Sequence, residues 1–207
     1  MLIYGDRQSG NCYKILLLLH LLQRPYQWRP IDVLAGDTRS QEFLALNPNG
    51  KIPLLQLDDR STLAESNAIL NFLAEGTPFL PVAPFARAKV LQWQFFEQYS
   101  HEPYIAVARF IAKYLGLPES RLAEFQSKQK GGHRALAVME HQLQQTPYLV
   151  GESITIADIS LYGYTHVAEE GGFALDDYPA IRAWLQRIAS HPHYVAMDDA
   201  HAPARPT

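Results

Sequence analysis

The apolar positions keep two rhythms along this chain, and the change falls at a proline-marked joint. Leu2-Ile3-Tyr4 is a short apolar run followed by a loop over residues 5–10, which predicts a strand and a turn. Residues 14–22 are too long and too leucine-rich for an ordinary strand, so they predict a buried helix. Residues 26–31 begin with strand-like alternation at Tyr26 and Trp28. Pro30 confines that strand to an edge or a short run, because proline lacks the N–H that a ladder needs. Residues 40–46 predict a short helix ended by Asn47-Pro48-Asn49-Gly50. Residues 52–57 and 62–64, joined through Asp58-Asp59-Arg60, predict a hairpin. A further helix over 66–74 places Ile69, Leu70 and Leu73 on one face.

The resulting order is β-α-β-α-β-β-α, the element order of a thioredoxin-like domain. Its strand–helix–strand start predicts a right-handed parallel crossover, and the hairpin adds an antiparallel edge. Pro78, Pro81 and Pro84 then make residues 76–84 a stiff, extended connector. Beyond it strand signals almost vanish. Residues 87–115 and 119–145 read as long amphipathic helices, the first kinked at Pro103 and the second weakened by Gly131-Gly132. Residues 156–169 and 179–190 are two more, and 202–207 read as a loose tail. The expected architecture is α/β plus all-α: a thioredoxin-like domain over 1–77, a linker over 78–85 and a helical bundle domain over 86–207.

Composition narrows the partners. The 207 residues are 47% hydrophobic and 19% charged, with a net charge of −3, an ordinary globular balance that attracts neither nucleic acid nor an anionic membrane. The longest apolar run, residues 15–22, is interrupted by His20 and falls short of the ~18 residues of a membrane span. No basic region precedes an apolar stretch at Met1, so a cytoplasmic location is expected. Cys12 is the single cysteine, which excludes an intrachain disulfide and a Cys-x-x-Cys dithiol mechanism. His191, His193 and His201 lack the companion acids or cysteines of a metal shell, and no metal is expected.

Three stretches carry candidate chemistry. Ser9-Gly10-Asn11-Cys12-Tyr13-Lys14 opens the first helix, whose unpaired N–H groups and positive dipole end favour an anion. Ser9 and Asn11 are helix-capping residue types, and each is also able to donate a hydrogen bond to a bound thiolate. Cys12 reads as a small buried spacer. Gly50-Lys51-Ile52-Pro53 sets a proline at a strand start; a cis bond there would turn the Ile52 backbone toward an extended peptide. Glu65-Ser66 closes the hairpin, where Ser66 caps a helix able to hold a carboxylate and Glu65 suits an amino group. Together they point to a cysteine-centred peptide with free α-amino and α-carboxylate groups.

With these motifs in order, and with Gly151-Glu152-Ser153-Ile154-Thr155-Ile156-Ala157-Asp158-Ile159 further on, the chain resembles the cytosolic glutathione transferases over essentially its full length. The last stretch reads as a capping box, Asp158 standing for the usual Glu or Gln, with Ile154 and Ile159 spaced for a hydrophobic staple. In the family it is a folding device. The resemblance implies that Glu65 and Ser66 hold the γ-glutamyl end of glutathione and that Ile52, presented by cis-Pro53, pairs with its cysteinyl part. Lys51, with Thr38 or Arg39, would meet the glycyl carboxylate. The sulfur ligand is Ser9, as in theta-like members, or Asn11, as in bacterial nu-like members, or both. A second substrate, a small electrophile or a disulfide, is expected against the first long helix at Tyr99, Tyr104 and Arg109. A homodimer is implied by the resemblance as well. The implied activity is conjugation to electrophiles; the alternatives are glutathione-dependent disulfide or peroxide reduction and a non-catalytic binding protein of the same fold.

Overall fold

In the computed structural model residues 1–200 are described; the expected tail at 202–207 lies outside them. Two compact units are present, one made of Met1–Glu75 with the segment from Ala189 onward, the other of Gly76–Ile188.

The first unit is a four-stranded mixed sheet in the order β2-β1-β3-β4. Strand β1 (Leu2–Gly5) pairs parallel with β2 (Gln27–Pro30) and antiparallel with β3 (Leu54–Gln56), which pairs antiparallel with β4 (Thr62–Ala64). Pro30 thus sits on an edge strand, where its missing N–H breaks no ladder. Successive side chains leave opposite faces of the sheet. Tyr4 and Leu54 are paired neighbours and join Ile31 and Phe43 in one core cluster, so helix α2 (Gln41–Leu46), which carries Phe43, covers that face. Ile3 and Leu55, also paired, point the other way and are fully buried. Helices α1 (Gly10–Leu21) and α3 (Ser66–Ala74), in contact with each other, cover that second face. Helix α1 is buried almost all round, which explains its leucine-rich, weakly patterned sequence.

The C-terminal segment returns to this unit rather than staying with the helical domain expected over 86–207. Tyr13 Oη donates to Val195 O at 2.7 Å, Tyr26 Oη donates to Ala200 O, and Met197 and Ala200 are buried. These two tyrosine hydroxyls need partners once their rings are inside, and the returning backbone supplies them.

The second unit is helical. Its first long helix runs as α4 (Pro84–Phe96), a π turn (Glu97–His101), α5 (Glu102–Arg109) and a second π turn (Phe110–Tyr114). The first π turn immediately precedes Pro103, where a regular α-helix would drive the proline ring into the i−4 carbonyl. Gly131-Gly132, expected to weaken the second helix, instead lie inside an unbroken α6 (Leu122–Leu143). A Cβ at Gly131 would stand 2.1 Å from the Tyr104 ring and one at Gly132 2.2 Å from the Phe173 ring. Close packing against two aromatic rings offsets the propensity cost of glycine. Helices α7 (Ile156–Thr165) and α8 (Pro179–Ala189) complete the unit. Among the described residues no helix is long and apolar enough to cross a membrane.

The start of α7 carries the expected capping box. Asp158 Oδ2 accepts from Thr155 N at 2.8 Å, and Thr155 Oγ1 accepts from Ala157 N at 3.2 Å. Asp158 Oδ1 also accepts from Leu149 N at 2.9 Å and Trp184 Nε1 at 3.0 Å, so this carboxyl ties a loop and α8 to the start of α7. Burial nevertheless pushes its pKa up, against the pull of those donors.

Candidate functional site

The candidate site grows from the first turn of α1. Ser9 is its N-cap, with extended backbone and its Oγ accepting from Cys12 N at 3.3 Å. The capping role is therefore real, and an accepting hydroxyl keeps a proton to donate. Cys12 is fully buried; its Sγ would lie 2.7 Å from a Cβ at Gly5, with the Trp28 ring on the same spot. Burial pushes its thiol up to about 12 despite the bond to Ser9, so Cys12 stays protonated at neutral pH and packs as a spacer.

Asn11 is the centre of a network. Its Oδ1 accepts from Lys14 Nζ at 2.6 Å and from Ser66 Oγ at 3.1 Å, and Lys14 Nζ lies 3.5 Å from Ser66 Oγ. Two residues expected at opposite ends of one ligand, Asn11 and Ser66, are thus bonded to each other across the α1–α3 contact. Lys14, 0% exposed, joins them. Sequence reasoning passed over Lys14, although a lysine one turn after an asparagine, inside a leucine run, is the signal that marks it.

Glu65 precedes α3 with φ +69° and ψ 113°, and its side chain makes no capping bond. A non-glycine residue at positive φ costs about 1–3 kcal/mol and is kept where surrounding structure requires it. Glu65 is exposed and Ser66 buried, so an acid at the surface and a hydroxyl beneath it stand side by side at one helix end.

The third stretch is a turn. The Ile52–Pro53 peptide is cis, and β3 begins only at Leu54, so Ile52 lies outside the strand pairing. Asn47 fixes the approach: its Nδ2 donates to Lys51 O at 2.7 Å and its Oδ1 accepts from Asn49 N at 3.2 Å. Gly50 has φ +61°, and a Cβ there would meet Arg39 Nη1 at 2.7 Å and Thr38 O at 2.9 Å. The turn bearing Thr38 and Arg39 therefore rests on the turn bearing Lys51. Thr38 is buried, whereas Arg39 and Lys51 are exposed.

The three residues expected around a second substrate have three different surroundings. Tyr99 is 86% exposed in the first π turn. Tyr104 lays its ring on Gly131. Arg109, 3% exposed, donates from Nε to Glu170 Oε2 at 2.6 Å, while Lys113 Nζ reaches Glu170 Oε1 at 3.0 Å. Partial burial works against ionised Glu170, but the two cations outweigh it and hold the carboxyl below its ordinary range. Arg109 is thus engaged in an ion pair within the helical unit. Among the described residues no group of three or more His, Cys, Asp or Glu side chains is arranged to hold a metal ion. His201 lies outside those residues, and His193 N donates to His191 Nδ1 at 3.2 Å.

A small mixed sheet with a cis-proline turn between two helix N-termini, followed in sequence by a helical unit with a buried capping box, defines a class of two-unit α/β plus all-α proteins. Residues 8–75 match the glutathione S-transferase N-terminal domain and residues 92–192 the glutathione S-transferase C-terminal domain, and the chain belongs to the glutathione S-transferase family. The crystal structure of a glutathione S-transferase from Pseudomonas fluorescens is similar at a TM-score of 0.94 and 64% identity, covering 96% of this chain and 98% of that one. The disulfide-bond oxidoreductase YfcG of Escherichia coli is 31% identical, over 89% of this chain and 88% of that protein. The structure of glutathione transferase URE2P6 from Phanerochaete chrysosporium, in complex with oxidized glutathione, is similar at a TM-score of 0.83 and 26% identity, covering 93% and 91%.

Proposed function

We propose that this chain is a glutathione transferase that stabilises the glutathione thiolate at the start of α1 for attack on an electrophile. The observation that carries the reading is the direct bond between Asn11 and Ser66, which joins the sulfur end and the γ-glutamyl end of the expected ligand in one network. Glu65 pairs with the ligand's α-amino group, and Ser66 meets its α-carboxylate through the backbone N–H at the start of α3, its hydroxyl proton being given to Asn11. Ile52, beside Pro53, meets the cysteinyl backbone, and Lys51 with Arg39 meets the glycyl carboxylate. Buried Thr38 supports that turn through its backbone. The thiol of glutathione has an ordinary pKa of ~8.5, and each unit by which the site lowers it needs about 1.4 kcal/mol of preferential stabilisation. One or two charge-assisted hydrogen bonds and a helix end supply that amount. The second substrate would be a small electrophile met by Tyr99 or Tyr104 of the helical unit. A cytoplasmic homodimer belongs to the same reading; sedimentation tests the dimer.

A second reading, glutathione-dependent disulfide reduction, is favoured by Asn11 being the more firmly anchored of the two sulfur-ligand candidates. Ser9→Ala and Asn11→Ala, assayed against a chlorinated arene and a mixed disulfide, separate the readings. Conjugation lost mainly in one variant names the sulfur ligand; disulfide reduction far faster than conjugation in the unaltered protein replaces the first reading with the second. Absence of binding at millimolar glutathione overturns both.

A further inference from the structure

Lysine has donors only, so the atom of Asn11 that faces Lys14 Nζ at 2.6 Å is an acceptor, and the amide orientation is fixed without ambiguity. The Ser66 hydroxyl reinforces it from α3 at 3.1 Å. The donor end of the amide is therefore turned away from the lysine. A carboxamide rotated by half a turn would present its carbonyl instead, and a carbonyl oxygen repels a thiolate. Lys14 is 0% exposed on a helix otherwise lined by leucines, an expensive place for a charge unless its bonds matter.

We propose that Lys14 is a positioning residue, which holds the Asn11 side chain with its NH2 group toward the sulfur and thereby sustains the bound thiolate. This rests on the reading of Asn11 as a sulfur ligand. The titratable groups nearby are Asp6 and Cys12 on the α1 side and Glu65 beside Ser66 on the α3 side. Cys12 keeps its proton through the neutral range, so it does not contribute a step of its own there.

The test reads the ultraviolet absorption of glutathione thiolate on the full-length protein as pH is varied. Unaltered protein is expected to show thiolate at lower pH than free glutathione. Lys14→Met is expected to leave about tenfold less bound thiolate at neutral pH, the equivalent of one pKa unit. The double variant Asn11→Ala/Lys14→Met is expected to lose no more than Asn11→Ala alone, because Lys14 acts through Asn11. Asn11→Asp keeps a partner for Lys14 but presents only acceptors, and its expected loss of thiolate checks the parent reading of Asn11. Lys14→Gln, whose amide can donate or accept and so does not fix Asn11, is expected to lose thiolate as Lys14→Met does and carries the test of Lys14 if Lys14→Met fails to fold. Unchanged thiolate in folded Lys14→Met or Lys14→Gln, or additive losses in the double variant, overturns the role of Lys14; unchanged thiolate in Asn11→Asp overturns the reading of Asn11 as sulfur ligand. Free-solution titration on the unaltered protein overturns the parent reading instead.

Discussion

The starts of α1 and α7 are built from the same parts and end with opposite charge balance. Each has a hydroxyl N-cap whose oxygen accepts a backbone N–H, at 3.3 Å for Ser9 and 3.2 Å for Thr155. At α7 the chain supplies its own anion: Asp158, fully buried, takes donors from Thr155, Leu149 and Trp184. At α1 the first turn contains no acidic residue, and a buried lysine follows it instead. A helix N-terminus favours negative charge wherever it is. One end is satisfied from within and serves folding; the other has no acid in its first turn and a buried lysine close by, and the proposed thiolate site rests on that difference.

The largest effect is expected from breaking the closed end. Asp158→Ala strands several buried donors at once, each worth about 1–3 kcal/mol, and should lower stability by roughly 3–5 kcal/mol. Calorimetry should then record a melting temperature lower by about 10 °C or more. A small change would mean that Asp158 is not the tie it looks to be.

The open end should respond in rate more than in stability. Asn11→Ala removes a charge-assisted bond of ~1.5–3 kcal/mol, so turnover should fall about 10- to 100-fold under saturating glutathione. Ser9→Ala is the sharper comparison, because Ser9 has a documented capping bond. It should cost about 1 kcal/mol in denaturant unfolding, and the loss in rate says how much of Ser9 is cap and how much is sulfur ligand.

The smallest effect is a matter of pH. Glu170 is held below its ordinary value of 4.5 by Lys113 and Arg109, so its contribution to stability is complete above that value and is lost as pH falls through the lower folded value. Melting curves of the unaltered protein and Glu170→Gln between pH 6 and pH 3 should converge on the acid side. The group is partly exposed, so the gap should be only a degree or two.

Much of the fold was legible because its signals are local. Pro30 placed β2 at an edge, Asp58-Asp59-Arg60 placed a hairpin turn, and Thr155 with Asp158 announced a helix start; each needs only neighbours within a few residues. The glycine pair in α6 misled for the opposite reason. Its use depends on Tyr104 and Phe173, which the helix pattern does not contain. At the candidate site, residue types and spacing indicated Ser9, Asn11, Glu65 and Ser66, but not that Lys14 bonds to Asn11 and Ser66.

By itself the sequence determined the element order, the caps at Ser9 and Thr155 and the residue types with chemistry to offer, since these follow from propensity, periodicity and turn geometry along the chain; the cap expected at Ser66 falls instead to Glu65. Only the tertiary structure decided that Lys14 meets Ser66 across 52 residues and that Val195 returns to Tyr13 across 182. Contacts at such separations are set by the path of the whole backbone, and the orientation of Asn11, on which the proposed chemistry turns, is one of their consequences.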